Sequence, residues 1–272
     1  MAGTGKKWLI GCGVGCGVTI LLNIIVILGA GFFFTRPMNK AVNSQKKLAE
    51  LHGEPGDFVP AVDGLTTRRL EAFLAVRRNL MPSCQEFKDI AGGFEAMNEL
   101  DKGGDEPSTK EIFTSLGKVM GSVKGLVTEM GEIMEIRNEA LVEQEMGMGE
   151  YTWIYVLAYN SWLGYEPNTG IEDSDGGNFN NREKDLIGDL MIAHADALAE
   201  KGRTDEAEVW RKEADKLEWS DSGVPFADTN LPLEISKALE AFRGRFEEVY
   251  CPPMSEFDLG QIKKKGMSFH SD

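Results

Sequence analysis

From Trp8 to Phe34 the chain carries no charged side chain, and Thr19 and Asn23 are the most polar residues of the run. As a helix rising about 1.5 Å per residue, the run is roughly 40 Å long, more than a ~30 Å hydrocarbon core requires. The pattern predicts a single N-terminal transmembrane helix. After it, apolar positions recur at helical spacing. Residues 38–51 read as a polar juxtamembrane helix, and His52 to Gly64 as a Pro/Gly-rich linker. Leu70, Phe73, Leu74, Arg77 and Leu80 mark one stripe of a helix over 65–81, with Pro82 as its expected end. Ser83 to Glu86 is a capping box that opens the next helix, whose buried face holds Phe87, Ile90, Phe94 and Met97.

A second capping box, Ser108 to Glu111, opens the longest predicted helix, about 108–146. Ile112, Leu116, Val119, Val123, Leu126, Met130 and Ile133 alternate steps of four and three, a coiled-coil-like seam. Gly117, Gly121 and Gly125 form a second row. Each costs about 1 kcal/mol of helix propensity against Ala, so packing must hold this helix. Gly147 to Gly149 breaks the chain before an aromatic helix. There Tyr151, Tyr155, Tyr159 and Trp162 share one face, and Trp153 lies on another. A helix apolar on most sides belongs in a core; a partner contact is the alternative, because Tyr and Trp anchor interfaces.

The loop over 166–183 is rich in oxygen ligands from Glu172 to Asn181 but fails the EF-hand pattern: Gly177 and Asn178 are in the wrong order and Lys184 replaces the bidentate Glu. Residues 182–218 form a helical hairpin. Within it, Asp189 to Ala214 resembles a single tetratricopeptide-type unit, with Ala195, Gly202, Ala207 and Ala214 at its small positions and Leu198 at a large one. The chain departs from that repeat at Arg211 and Trp219, and no second copy follows. The resemblance therefore implies a helix pair packed by small residues and not a peptide-binding array. Pro232 starts a last amphipathic helix that Cys251-Pro-Pro253 stops; an extended tail follows over 254–272.

Charge sharpens this picture. The chain carries a formal −15, yet residues 1–47 hold six basic side chains and no acidic one. All of the excess negative charge lies beyond them. Such a domain does not suit nucleic acid, whose phosphates need Lys and Arg. Cys12 and Cys16 fall in the anchor; Cys84 and Cys251 fall outside it, either as a disulfide or as two buried thiols. The four cysteines make no Cys-x-x-Cys or Cys/His cluster, so no metal or cofactor is indicated. His194 reads as a packed or surface histidine, and no hydrolase, zinc-protease or P-loop motif occurs.

The anchor has its own pattern. Gly11, Gly13, Gly15 and Gly17 make overlapping small-x-x-x-small pairs, which let another membrane helix approach closely. Lys6 and Lys7 flank one end, and Arg36, Lys40, Lys46 and Lys47 the other. Counting cations favours a cytoplasmic C-terminal side. The short N-terminal tail and the Cys84/Cys251 pair favour a signal-anchor with an exported, periplasmic or extracytoplasmic domain, which is the reading adopted. The expected organisation is an all-α protein: anchor 1–36, juxtamembrane helix and linker 37–64, helical domain 65–253, tail 254–272. The expected function is a non-enzymatic structural or accessory subunit. It would bind the lipid bilayer and protein partners in a larger respiratory, photosynthetic or export complex, with no small-molecule ligand. The alternative is an anchored enzyme or ligand-binding protein whose site forms only in three dimensions.

Overall fold

The computed structural model describes residues 39–101, 130–167, 179, 181–220 and 223–254, with backbone alone for 85–101, 218 and 253. The apolar run 8–34 with Gly11, Gly13, Gly15 and Gly17, the first part of the long helix, most of the 166–183 loop and nearly all of the tail lie outside the described residues. Among the described residues every regular element is helical, so the protein is all-α there. No helix among them is long and apolar enough to cross a membrane.

Helix α1 covers 39–52, and a 3₁₀ turn follows at Pro55–Asp57. Helix α2 is Thr67–Asp101, α3 covers 130–143, and α4 is Met148–Tyr155. The α4 helix runs on as a π-helix over Val156–Trp162. Asn181–Glu200 (α5) and Thr204–Trp219 (α6) make the hairpin, and Leu233–Glu240 (α7) and Arg243–Glu248 (α8) close the described chain.

Three local expectations change. Pro82 does not end a helix but lies inside α2. Proline removes one hydrogen bond to the preceding turn. Here Leu80, Ser83 and Cys84 are buried on either side of it, and that burial carries the helix through. The last helix is broken in two, because Phe242 leaves the helical region at φ −115° and ψ 3°. The break lets Phe242, Phe246 and Val249 all reach the core. In the aromatic helix, Leu163 N–H donates to Ala158 O at 3.0 Å, a five-residue step. This wider turn interrupts the 3.6-residue count after Tyr159, and Trp162 is only partly buried.

The core is one cluster. Leu48 of α1 belongs to it together with Leu70, Phe73 and Leu74 of α2, Ile154 to Tyr159 of α4, and Trp210 of α6. The hairpin closes on small residues: Ala195 and Ala207 are fully buried, and Gly202 turns the chain at φ +79°. A second glycine is fixed by close approach. A Cβ on Gly149 would stand 2.2 Å from Pro55 O and 2.6 Å from Phe58 Cβ. Backbone cannot swing aside as a side chain can. Gly149→Ala is expected to lower stability by about 1–3 kcal/mol by forcing the 55–58 turn off α4. Urea unfolding of the full chain in mild detergent measures this; an unchanged midpoint would show that the turn yields freely.

Arg69 joins the bundle's ends. Its guanidinium forks onto Glu150 at 2.6 Å through both Nε and Nη2, and also donates to Glu145 O at 3.1 Å. It thus holds the turn just beyond α3 while pairing with a carboxylate in the first turn of α4, where a negative charge suits the helix end.

Candidate functional site

Two places concentrate polar chemistry. The first is an open cleft of about 470 Å³ between α1 and α3. These helices run in the same direction. Lys40 Nζ meets Glu135 at 3.4 Å, and Asn138 Nδ2 donates to Ser44 Oγ at 3.0 Å and to Gln45 Oε1 at 3.2 Å. Further on, His52 Cβ stands 3.0 Å from where a Cβ of Gly147 would lie. Pair numbers rise together along both helices, as parallel packing requires. The α1 wall supplies the ammonium groups of Lys40 and Lys47 with Asn43 between them. The α3 wall supplies the carboxylates of Glu135 and Glu139, and Val142 adds an apolar edge.

Wall and rim differ in rigidity. Asn138 is fully buried, and its Oδ1 accepts from Arg137 at 3.4 Å while its amide donates across to α1. Ser44 Oγ donates in turn to Ala41 O at 2.9 Å. That network is satisfied and holds the cleft open at a set width. Lys40, by contrast, is 69% exposed, and its 3.4 Å contact is longer than a tight charge-assisted bond. The rim charges are free to turn towards a ligand.

The second place is an aromatic nest around His194 on α5. The ring packs edge-on to Trp210 at 4.8 Å and tilts against Trp153 at 5.6 Å. Its Nδ1 lies 3.3 Å from Pro60 O, and in the tautomer that carries the proton there it donates to that carbonyl. Arg203 holds the same loop by donating from Nη1 to Val62 O at 2.6 Å. Burial pushes the His194 pKa below its ordinary 6.5; the Pro60 carbonyl opposes the shift, Arg203 adds to it, and Glu206 opposes it. The folded state therefore favours neutral His194. Its contribution to stability is complete above pH ~6.5 and is lost as pH falls from there through the lowered native value. Stability of the full chain measured between pH 8 and pH 5 is expected to fall more steeply than that of His194→Gln. Parallel curves would remove His194 as the cause.

The aromatic residues that could have met a partner lie inside the domain. Tyr151, Trp153, Tyr155 and Tyr159 are all at most 5% exposed. Tyr159 is the hub, with ring contacts to Phe73, Tyr155, Tyr165, Phe246 and Tyr250. They are core and cannot serve as a surface. Trp162 remains near the surface, with the Arg243 guanidinium 4.2 Å from its ring centre. Cys84 and Cys251 form a disulfide joining α2 to the segment after α8, with Cα atoms 6.0 Å apart. The glycine row of the anchor lies outside the described residues.

Sequence reading missed the cleft, whose walls lie about a third of the chain apart, and also the role of Arg77. That residue stands in the apolar stripe of α2 and is 1% exposed. Its Nη1 donates to Tyr151 OH at 2.9 Å, and Nε and Nη2 both donate to Val249 O, at 3.3 and 3.2 Å. The guanidinium also lies over the rings of Tyr155 and Tyr159. The signal was present: an arginine at a core register position. Among the described residues no group of three or more His, Cys, Asp or Glu side chains is placed to hold a metal ion. No known protein family matches the chain, and no curated protein or solved structure is similar to it.

Proposed function

We propose that this chain is a membrane-anchored accessory subunit, non-enzymatic, that binds and stabilises a larger membrane complex from the extracytoplasmic side. The uncharged run from Trp8 to Phe34 carries the reading, since few soluble folds contain so long a stretch without charge. The Cys84–Cys251 bridge supports an oxidising compartment for the helical domain. The buried polar groups described above serve packing: Arg77 ties α8 to α2, Asn138 ties α3 to α1, and His194 holds a loop. Respiratory, photosynthetic and export assemblies are the kinds of complex that fit, with the glycine row of the anchor as the helix-packing face.

The experiment is purification of the tagged full chain in mild detergent, followed by identification of co-migrating proteins. A stable companion membrane protein, lost on Gly13→Leu with Gly17→Leu, is expected. A monodisperse monomer without companions would sink the subunit reading. The second reading, an anchored ligand-binding protein, is favoured by one observation: the polar α1/α3 cleft.

A further inference from the structure

The α1/α3 cleft has a charge pattern and a position that together select a ligand. Along α1, Lys40 and Lys47 are two helical turns apart; along α3, Glu135 and Glu139 are one turn apart. Cations line one wall and anions the other, so the cleft carries a dipole across its width and little net charge. A simple anion meets repulsion from the glutamates, and a simple cation from the lysines. A small zwitterion, phosphate at one end and amine at the other, meets neither. Asn43 adds an amide group on the α1 wall, and Val142 gives an apolar edge for the linking carbons.

Position narrows the source. Lys40 is six residues beyond Phe34, the end of the uncharged run. Even a fully extended chain puts it no more than roughly 20 Å from that point, and a helix about 9 Å. The headgroup layer on each face of a bilayer is some 5–8 Å deep, so a helical connection brings Lys40 to its outer edge, where the long lysine side chain reaches back into it.

We infer that the cleft between α1 and α3 binds a primary-amine phosphodiester headgroup, that of phosphatidylethanolamine. The phosphate sits between Lys40 and Lys47, and the ammonium donates to Glu135 and Glu139. Binding breaks the long Lys40–Glu135 contact and gives each partner a closer one. The primary amine matters, because a quaternary choline has no N–H to donate to the carboxylates. This inference rests on the anchor reading for the lipid source but not for the headgroup chemistry.

The test uses the full chain in neutral detergent micelles doped with equal amounts of phosphatidylethanolamine, phosphatidylcholine and phosphatidylglycerol, with retained lipid read by native mass spectrometry. Phosphatidylethanolamine is expected to be enriched about tenfold over either competitor, as one charge-assisted contact gives. Lys47→Ala and Glu139→Gln, both on the cleft rim, should each abolish the enrichment while leaving the helical content unchanged. Equal retention of all three lipids removes the lipid as the source, and together with no binding of the soluble headgroup it overturns the inference; preference for phosphatidylglycerol, or enrichment that survives both variants, overturns it outright. Calorimetric titration with soluble glycerophosphoethanolamine separates the sources. Binding there, with the same sensitivity to both variants but no lipid enrichment, supports the headgroup chemistry with a free ligand. Carbonate extraction of native membranes tests the anchor alone: a chain released by carbonate removes the anchor reading, and the soluble titration still decides the cleft.

Discussion

Replacing both Cys84 and Cys251 with serine is expected to lower the unfolding free energy by about 2–5 kcal/mol, the largest single effect in this chain. The bridge spans 167 residues. On loop-closure entropy alone, so long a loop gives roughly 5 kcal/mol at room temperature. The realised figure falls below that, because the reduced unfolded chain keeps residual structure and so gains less freedom than an ideal loop. Other contacts also hold the C-terminal segment to α2 in the folded state. Arg245 forks onto Glu71, and Arg77 holds Val249 O. The Arg245 pair draws the Glu71 pKa below the ordinary carboxylate value, but both side chains are well exposed and solvent screens the gain. Urea unfolding of the full chain with and without a reductant measures the effect, and the reduced wild type should match the double-serine variant. Overlapping oxidised and reduced curves would show that the packing of α8, and not the bridge, fixes the segment.

Some of this architecture is written locally and some is not. The α5/α6 hairpin was legible because its determinants are neighbours in sequence. Ala195 and Ala207 permit close helix approach, and Gly202 supplies the left-handed turn between them. The buried aromatic helix was legible for the same reason: from Met148 to Tyr155 only Glu150 is charged, and it pairs with Arg69 at the start of α2. Pro82 misled, since a local rule met a non-local one. The lost hydrogen bond is a local cost, whereas the burial of Leu80 and Cys84 depends on the rest of the fold, and Cys251 in particular is far away in sequence. The break at Phe242 has no proline and no obvious breaker beyond Gly244 two residues later. It follows from where Phe242 and Phe246 must go, which only the assembled core decides.

The polar places were hidden by the same logic. Lys40 and Glu135 read as ordinary surface charges until α1 and α3 are known to lie side by side and parallel. Nothing in their own neighbourhoods specifies that. His194 read as a packed or surface histidine, and its hold on Pro60, 134 residues away, is what places it in the core. Arg77 is the instructive case. Its register put it with Leu70, Phe73, Leu74 and Leu80, while its charge argued for the surface. The conflict is resolved by acceptors at Val249 and Tyr151, neither of them near it in sequence.

Arg77→Met is expected to cost about 2–4 kcal/mol even though Met fills much of the same volume, because Val249 O loses both donors and Tyr151 OH loses one in a buried setting. The lost attraction between the guanidinium and the rings of Tyr155 and Tyr159 adds to this. Arg77→Lys keeps the charge but not the planar fork, so it should recover less than half of the loss; full recovery would assign the effect to charge alone. Tyr151→Phe isolates one arm, and a double-mutant cycle with Arg77→Met should return a coupling of about 1 kcal/mol. The more telling cycle pairs Arg77→Met with the double-serine variant. Val249 lies two residues before Cys251, so the bridge already orders the carbonyl that Arg77 grips. Without the bridge, the Arg77 contact must itself order that segment, and the entropy of doing so reduces its net worth. Arg77→Met should therefore cost less in the bridgeless chain than in the bridged one. Strict additivity would mean that the 249–251 segment is held by the core packing of Val249 and Phe246, with the arginine and the disulfide each acting independently on it.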